Sequence, residues 1–145
     1  MATMTREEAY GFIDNGPRWA VLTTVSPDGY PHAVPLGYYR DGDEIFVSAR
    51  GKRLANIRRH PRVALLLESG EEMAELRGLL IEGDASPVEE PAEVLRLSRI
   101  AGRRRGTPEA ELPTEPRPGL VWARITPRRM RSWDNAKTRR ERAGG

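Results

Sequence analysis

Two tight turns decide what this chain can become. Ser26-Pro27-Asp28-Gly29 and Asp41-Gly42-Asp43 each set turn-forming residues between runs rich in β-branched and aromatic side chains. Strands joined by so few residues can pair only antiparallel. The flanking segments, residues 19–25, 30–39 and 44–49, therefore read as three strands of one meander. Pro31 and Pro35 place the second of these at a sheet edge or a bulge, because proline has no N–H for the ladder. Residues 62–68 read as a buried strand around Val63-Ala64-Leu65-Leu66-Leu67, and residues 76–85 as another, with Gly78 and Gly83 at possible bulges. A last strand over 120–126 meets Pro127 and resumes over 128–133.

Helical signals are fewer. Thr5-Arg6-Glu7-Glu8 is a capping box, and the helix it opens over 5–14 should bury Ala9, Phe12 and Ile13. Pro61 ends a second helix over 53–60, and Pro91 opens a third over 91–100 with Val94, Leu97, Ile100 and Ala101 on one face. The pattern predicts a β-rich α+β domain spanning 1–145, a closed or nearly closed six-stranded antiparallel barrel with two or three short helices. Residues 1–4 and 138–145 are expected to fray, and 102–118, rich in Arg, Gly, Glu and Pro, to form a mobile loop.

Composition narrows the chemistry. No apolar stretch nears the ~20 residues of a membrane span, and the N-terminus lacks a basic-then-apolar signal pattern, which predicts a cytoplasmic protein. Without cysteine there are no disulfides and no thiolate catalysis, and two histidines without matching carboxylates predict no metal site. No glycine fingerprint for a dinucleotide or P-loop fold is present, nor a nucleophile elbow for a serine triad. A net charge of +3 is weak for a nucleic-acid binder. The Arg103-Arg104-Arg105 cluster could serve one, but nine scattered aromatics give no stacking platform.

The richest local signal is the run from Ser48 to Pro61, Ser-Ala-Arg-Gly-Lys-Arg-Leu-Ala-Asn-Ile-Arg-Arg-His-Pro. It places Arg50, Lys52 and Arg53 where a strand hands over to a helix N-terminus. Unpaired N–H groups and the helix dipole already favour an anion there. Gly51 lets the backbone bend closely around a ligand. The arrangement reads as a phosphate cradle, against the plainer reading of a solvated basic turn.

The order of these motifs resembles the flavin-binding split-barrel superfamily of pyridoxamine 5′-phosphate oxidases. The residues that carry it are Thr23 to His32 in the hairpin, Val34-Pro35-Leu36, the strand into Ser48, and Arg53-x-x-Asn56-x-Arg58-Arg59-x-Pro61. Within that superfamily, this stretch is most similar to the actinobacterial deazaflavin (coenzyme F420)-dependent reductases of split-barrel type B, and Arg77 to Ala85 and Arg131-Ser132-Trp133-Asp134 also fit that subgroup. The resemblance implies a homodimer with two cofactor sites at the subunit interface. It implies that Arg50, Lys52, Arg53 and the helix opening toward Asn56 hold the cofactor phosphate. Ser48 and Ala49 would line the same site, and Val34, Pro35 and Leu36, on a neighbouring strand, would lie along the ring. Arg53 stands where many such relatives carry lysine, and the substrate-binding basic residues of the pyridoxamine oxidase itself have no match here.

The expected activity is hydride transfer between reduced F420 and a conjugated small-molecule acceptor, with FMN as the alternative cofactor. Such chemistry needs few acid–base groups, since the cofactor carries the hard step. No catalytic residue is assigned; solvent, Tyr38, Tyr39 or His32 could supply a proton. Arg58, Arg59 and Arg62 could form a basic path for the deazaflavin's oligoglutamyl tail, and Arg58 and Arg59 read equally well as a solvated helix face. Trp133 reads either as a wall over the cofactor or as a packed tail residue. A non-enzymatic flavin- or haem-binding split barrel is the reading from another functional class.

Overall fold

The computed structural model describes residues 2–144. Its first element is α1 (Arg6–Asn15), opened by the capping box: the Glu8 N–H donates to Thr5 Oγ1 and the Thr5 N–H to Glu8 Oε1, both at 3.1 Å. Ala9, Phe12 and Ile13 face the core, as their spacing predicts. Strands β1 (Ala20–Val25) and β2 (Pro31–Leu36) follow as a hairpin whose turn is closed by Gly29 N–H to Ser26 O at 2.9 Å. Gly29 holds φ +87°, a conformation that excludes most side chains. β3 (Tyr39–Asp41) and β4 (Glu44–Ser48) form the next hairpin, with Gly42 at φ +63°. Then come α2 (Gly51–Arg59), β5 (Arg62–Ser69), β6 (Arg77–Val88), α3 (Pro91–Arg104), β7 (Trp122–Asp134) and α4 (Asn135–Gly144).

All seven strands belong to one antiparallel sheet in the order β2-β1-β5-β6-β7-β4-β3. Its two edge strands, β2 and β3, are consecutive in the chain and separated only by Gly37 and Tyr38. Two residues cannot span a flat seven-stranded sheet, so the sheet must roll until its edges meet, making a split barrel. The described residues form seven strands and four α-helices, not six strands and two or three helices. The extra strand arises because the segment read as one strand over 30–39 breaks at Gly37-Tyr38, where Tyr38 turns inward and its hydroxyl donates to Pro17 O. The extra helix is α4, at the tail.

Pro127 does not end the last strand. Gly83 pairs with Pro127 and Glu82 with Arg129, so Arg128 is left over as a bulge and the missing N–H falls at an irregularity. A Cβ on Gly83 would lie 2.4 Å from Thr126 O, which explains glycine there. Gly78 serves differently: it lies under the Trp133 indole, 2.1 Å from where its own Cβ would stand.

The barrel interior is packed by Leu22, Leu36, Ile45, Val47, Leu65, Leu67, Leu79, Ile81 and Ile125, together with the apolar face of α1. A second cluster lies on the outer side of β4 and β7, where α3 lays Val94, Leu97 and Ala101 on Phe46 and Trp122. Elsewhere the outer face carries an apolar patch beside the surface ion pairs of Glu82 with Arg129 and Arg131. Val21, 38% exposed, pairs with Pro35 on one side and Leu66 on the other, and Leu66 pairs with Leu80. No helix of the chain is long and apolar enough to cross a membrane among the described residues.

Candidate functional site

The site is built where β4 becomes α2. Ala49, buried, anchors the end of β4 by donating its N–H to Val121 O at 2.9 Å. Arg50 is extended, with φ −159°, and Gly51 begins the helix at φ +58°. No side chain caps this helix, so its first-turn N–H groups remain free for a ligand. Arg53 folds back over the handover: Nε donates to Ser48 O at 2.9 Å and Nη2 to Ser48 Oγ at 3.1 Å. The strand end thus fixes the guanidinium that the helix carries.

Charge at this corner is uncompensated. Arg50, Lys52 and Arg53 have no carboxylate within ion-pair distance among the described residues. Most arginines elsewhere do: Arg40 with Asp14, Arg96 with Asp41 and Glu93, Arg103 with Glu109. Burial pushes the Arg53 guanidinium below its ordinary pKa, and the neighbouring Arg50 charge adds to the effect. A half-buried cation lacking a counter-ion is stabilised when an anion arrives, so these residues fit a phosphate group. Ser48 Oγ, already turned toward Arg53, can join the same contact.

The remaining residues expected at the site divide. Asn56 belongs to the scaffold: it is buried, its Nδ2 donates to Thr24 Oγ1 at 3.0 Å, and its Oδ1 accepts from Arg59 at 3.3 Å. This bond ties α2 to β1. Val34, Pro35 and Leu36 do not lie on a strand neighbouring β4, whose partners are β7 and β3, because the rolled sheet puts β3 between them. Leu36 is buried and Val34 packs on the core; only Pro35 faces outward, on the apolar patch beside Val21.

Other candidates are already engaged. Arg58 pairs with Glu89, and Arg59 donates to Val25 O and Asn56 Oδ1, which leaves Arg62 as the member of the basic path with neither an ion pair nor a side-chain hydrogen bond among the described residues. Tyr39 accepts a hydrogen bond from Arg105 at 2.8 Å, and burial pushes the Tyr38 phenol pKa up. His32 sits opposite Thr24 with its Nδ1 buried and unpartnered. Trp133 packs on Gly78 of its own chain, and Trp122 is core, its Nε1 donating to Ser98 Oγ at 3.0 Å. No group of three or more His, Asp or Glu residues that could hold a metal occurs among the described residues.

One feature escaped the sequence reading. A cavity of about 630 Å³ opens between the α1–β1 connection, the Gly37-Tyr38-Tyr39 link and the end of α3. Its walls carry Arg18, Trp19, Arg104 and Arg105. The walls come from three short segments far apart in sequence, residues 14–19, 37–39 and 104–105, which the fold brings together.

Comparison with known proteins gives a consistent result. The family model described as pyridoxamine 5′-phosphate oxidase matches residues 6–134. Among curated proteins none matches the sequence. A conserved hypothetical protein of Mycobacterium tuberculosis, Rv2991, is 32% identical with a TM-score of 0.82, covering 93% of this chain and 88% of its own. A FAD-binding protein of Mesorhizobium loti has the same fold at 17% identity, TM-score 0.71, with 90% and 95% covered. So does the haem storage protein HutZ of Vibrio cholerae, at 16% identity, TM-score 0.61, with 88% and 94% covered.

Proposed function

We infer function from one premise: this chain belongs to the pyridoxamine 5′-phosphate oxidase family. We propose that it is an oxidoreductase binding deazaflavin coenzyme F420, with FMN as the alternative, and passing a hydride to a conjugated small-molecule acceptor. The observation that carries the reading is the uncompensated cation set Arg50, Lys52 and Arg53 at an uncapped helix N-terminus. When bound, the cofactor supplies the hydride.

The chain's own residues bind and position. Arg53, held by Ser48, presents a fixed guanidinium to the cofactor phosphate; Arg50 and Lys52 add charge, and the first N–H groups of α2 add donors. Ala49 lines the same corner. Pro35 faces away from its own chain's cradle, on the apolar patch with Val21 and Leu66. The proposal is therefore that two chains pair through this face, so that the Pro35 strand of one covers the ring held by the other. Burying that surface excludes water from the reacting centre.

The choice of deazaflavin over FMN rests on the order of the sequence motifs. The basic path for its acidic tail is shorter than the sequence suggests, because Arg58 and Arg59 are engaged. The FAD-binding and haem-storage neighbours share the fold and make FMN and a non-enzymatic role the alternatives to test. The test is turnover: reduced F420 mixed with the protein and a panel of quinones and activated enones, following oxidation of the cofactor. Protein-dependent oxidation is expected. Its absence with every acceptor, beside activity with reduced FMN, would transfer the assignment to the flavin.

A further inference from the structure

We propose that the 630 Å³ cavity beside Trp19 is a binding site for a planar aromatic anion, such as an aryl carboxylate. Its existence does not depend on which cofactor the cradle takes.

The cavity joins two properties that such a ligand needs. The first is charge. Arg18, Arg104 and Arg105 line it, against the single carboxylate of Asp14. Asp14 is already neutralised by Arg40, with guanidinium donors at 2.9 and 2.6 Å, and lies 4.0 Å from Arg104. Arg18 and Arg105 have no carboxylate partner among the described residues, and both are exposed to whatever enters. The second property is an exposed aromatic wall, the Trp19 indole, with the buried Tyr38 ring behind it. Trp19 is 57% exposed, an unusual state for an indole, and the Arg18 guanidinium lies 4.9 Å from its ring centre. Arg104 and Arg105 lie 5.7 Å from the Tyr38 and Tyr39 rings. Guanidinium groups held on aromatic faces suit a ligand that stacks and carries a carboxylate at its edge.

The walls are also rigid. Tyr38 is tied to Pro17 O, Tyr39 to Arg105, and Arg104 to Ile13 O, so three separate segments are held in register around the opening. Gly37 allows close approach, since a Cβ there would stand 3.3 Å from the Tyr39 hydroxyl. A neutral aromatic would stack but leave Arg18 and Arg105 unmatched, whereas a small inorganic anion would leave the indole uncovered.

The test is titration of the folded protein with 2-naphthoate, reading the Trp19 indole N–H by NMR, with 2-naphthylmethanol as the neutral analogue. A saturable Trp19 shift with naphthoate is expected, weakened at least fivefold in Arg18→Gln and in Arg105→Gln and at least fivefold weaker for the alcohol. Both arginines are exposed, so the variants should fold, and F420 or FMN affinity should be unchanged because neither belongs to the cradle. The proposal is overturned by no saturable shift, by equal affinity for the alcohol, by variants that bind naphthoate as tightly as the parent, or by naphthoate competing with the cofactor.

Discussion

Arg53→Ala separates a residue that holds ligand from one that holds the fold. In the ligand-free chain, the guanidinium donates to Ser48 O and Oγ at 2.9 and 3.1 Å, yet burial and the Arg50 charge oppose it. Removing the side chain gives up two hydrogen bonds and relieves a half-buried, unpaired cation. These effects oppose one another, so unfolding free energy in urea should change by about 1 kcal/mol or less. Cofactor affinity should respond quite differently. A charge-assisted hydrogen bond to phosphate is worth roughly 1.5–3 kcal/mol, which is a ~13- to 160-fold loss at 1.36 kcal/mol per decade. Isothermal titration of parent and variant with the same cofactor measures it, with Arg58→Ala, whose partner is Glu89, as the control expected to bind normally. An Arg53→Ala protein that folds and binds unchanged would refute the cradle. A stability loss above about 3 kcal/mol would show that Arg53 serves the fold instead.

Three further outcomes follow from the packing and electrostatics. Gly78→Ala sets a Cβ 2.1 Å from Trp133 Cε2 and Cζ2, and the displaced indole should cost about 1–3 kcal/mol of stability; a urea midpoint equal to the parent's would contradict that contact. Glu93 accepts from Arg96 and Arg124, which hold its carboxyl at about 2, below its ordinary 4.5. Its folded pKa lies below the unfolded one, so its contribution is present above pH 4.5 and is lost as pH falls toward 2. With its side chain 30% exposed, that contribution is about 1 kcal/mol, and Glu93→Gln should flatten the acid limb of a stability–pH curve; parallel curves would contradict it. Val21→Arg places a charge at the centre of the apolar patch, so sedimentation should show a dimer for the parent and a monomer for the variant; a parent that sediments as a monomer at micromolar concentration would remove the shared site.

What the sequence made legible is what neighbouring residues decide. The Thr5–Glu8 capping box, the Gly29 turn and the strand-to-helix corner around Gly51 depend on residues within a few positions of one another, and each appears as read. Contacts between distant segments were hidden. The break at Gly37-Tyr38 depends on Pro17, and the continuity of β7 through Pro127 depends on a bulge opposite Gly83. Asn56 sits in a site motif by position, yet its partner Thr24, 32 residues away, draws it into the scaffold. Arg58 was lost to the basic path for the same reason, since Glu89 lies 31 residues on. Val34 to Leu36 looked adjacent to the cradle because the meander places them nearby in sequence; the rolling of the sheet sets β3 between.

The most direct test of the central claim is equilibrium binding of F420 and of FMN to the purified apoprotein, followed by fluorescence at two ionic strengths. The account predicts saturable binding with F420 the tighter ligand, weakening as salt rises because Arg50, Lys52 and Arg53 meet a phosphate. Saturable binding of neither cofactor would contradict it, and binding of FMN alone would keep the cradle while replacing the deazaflavin.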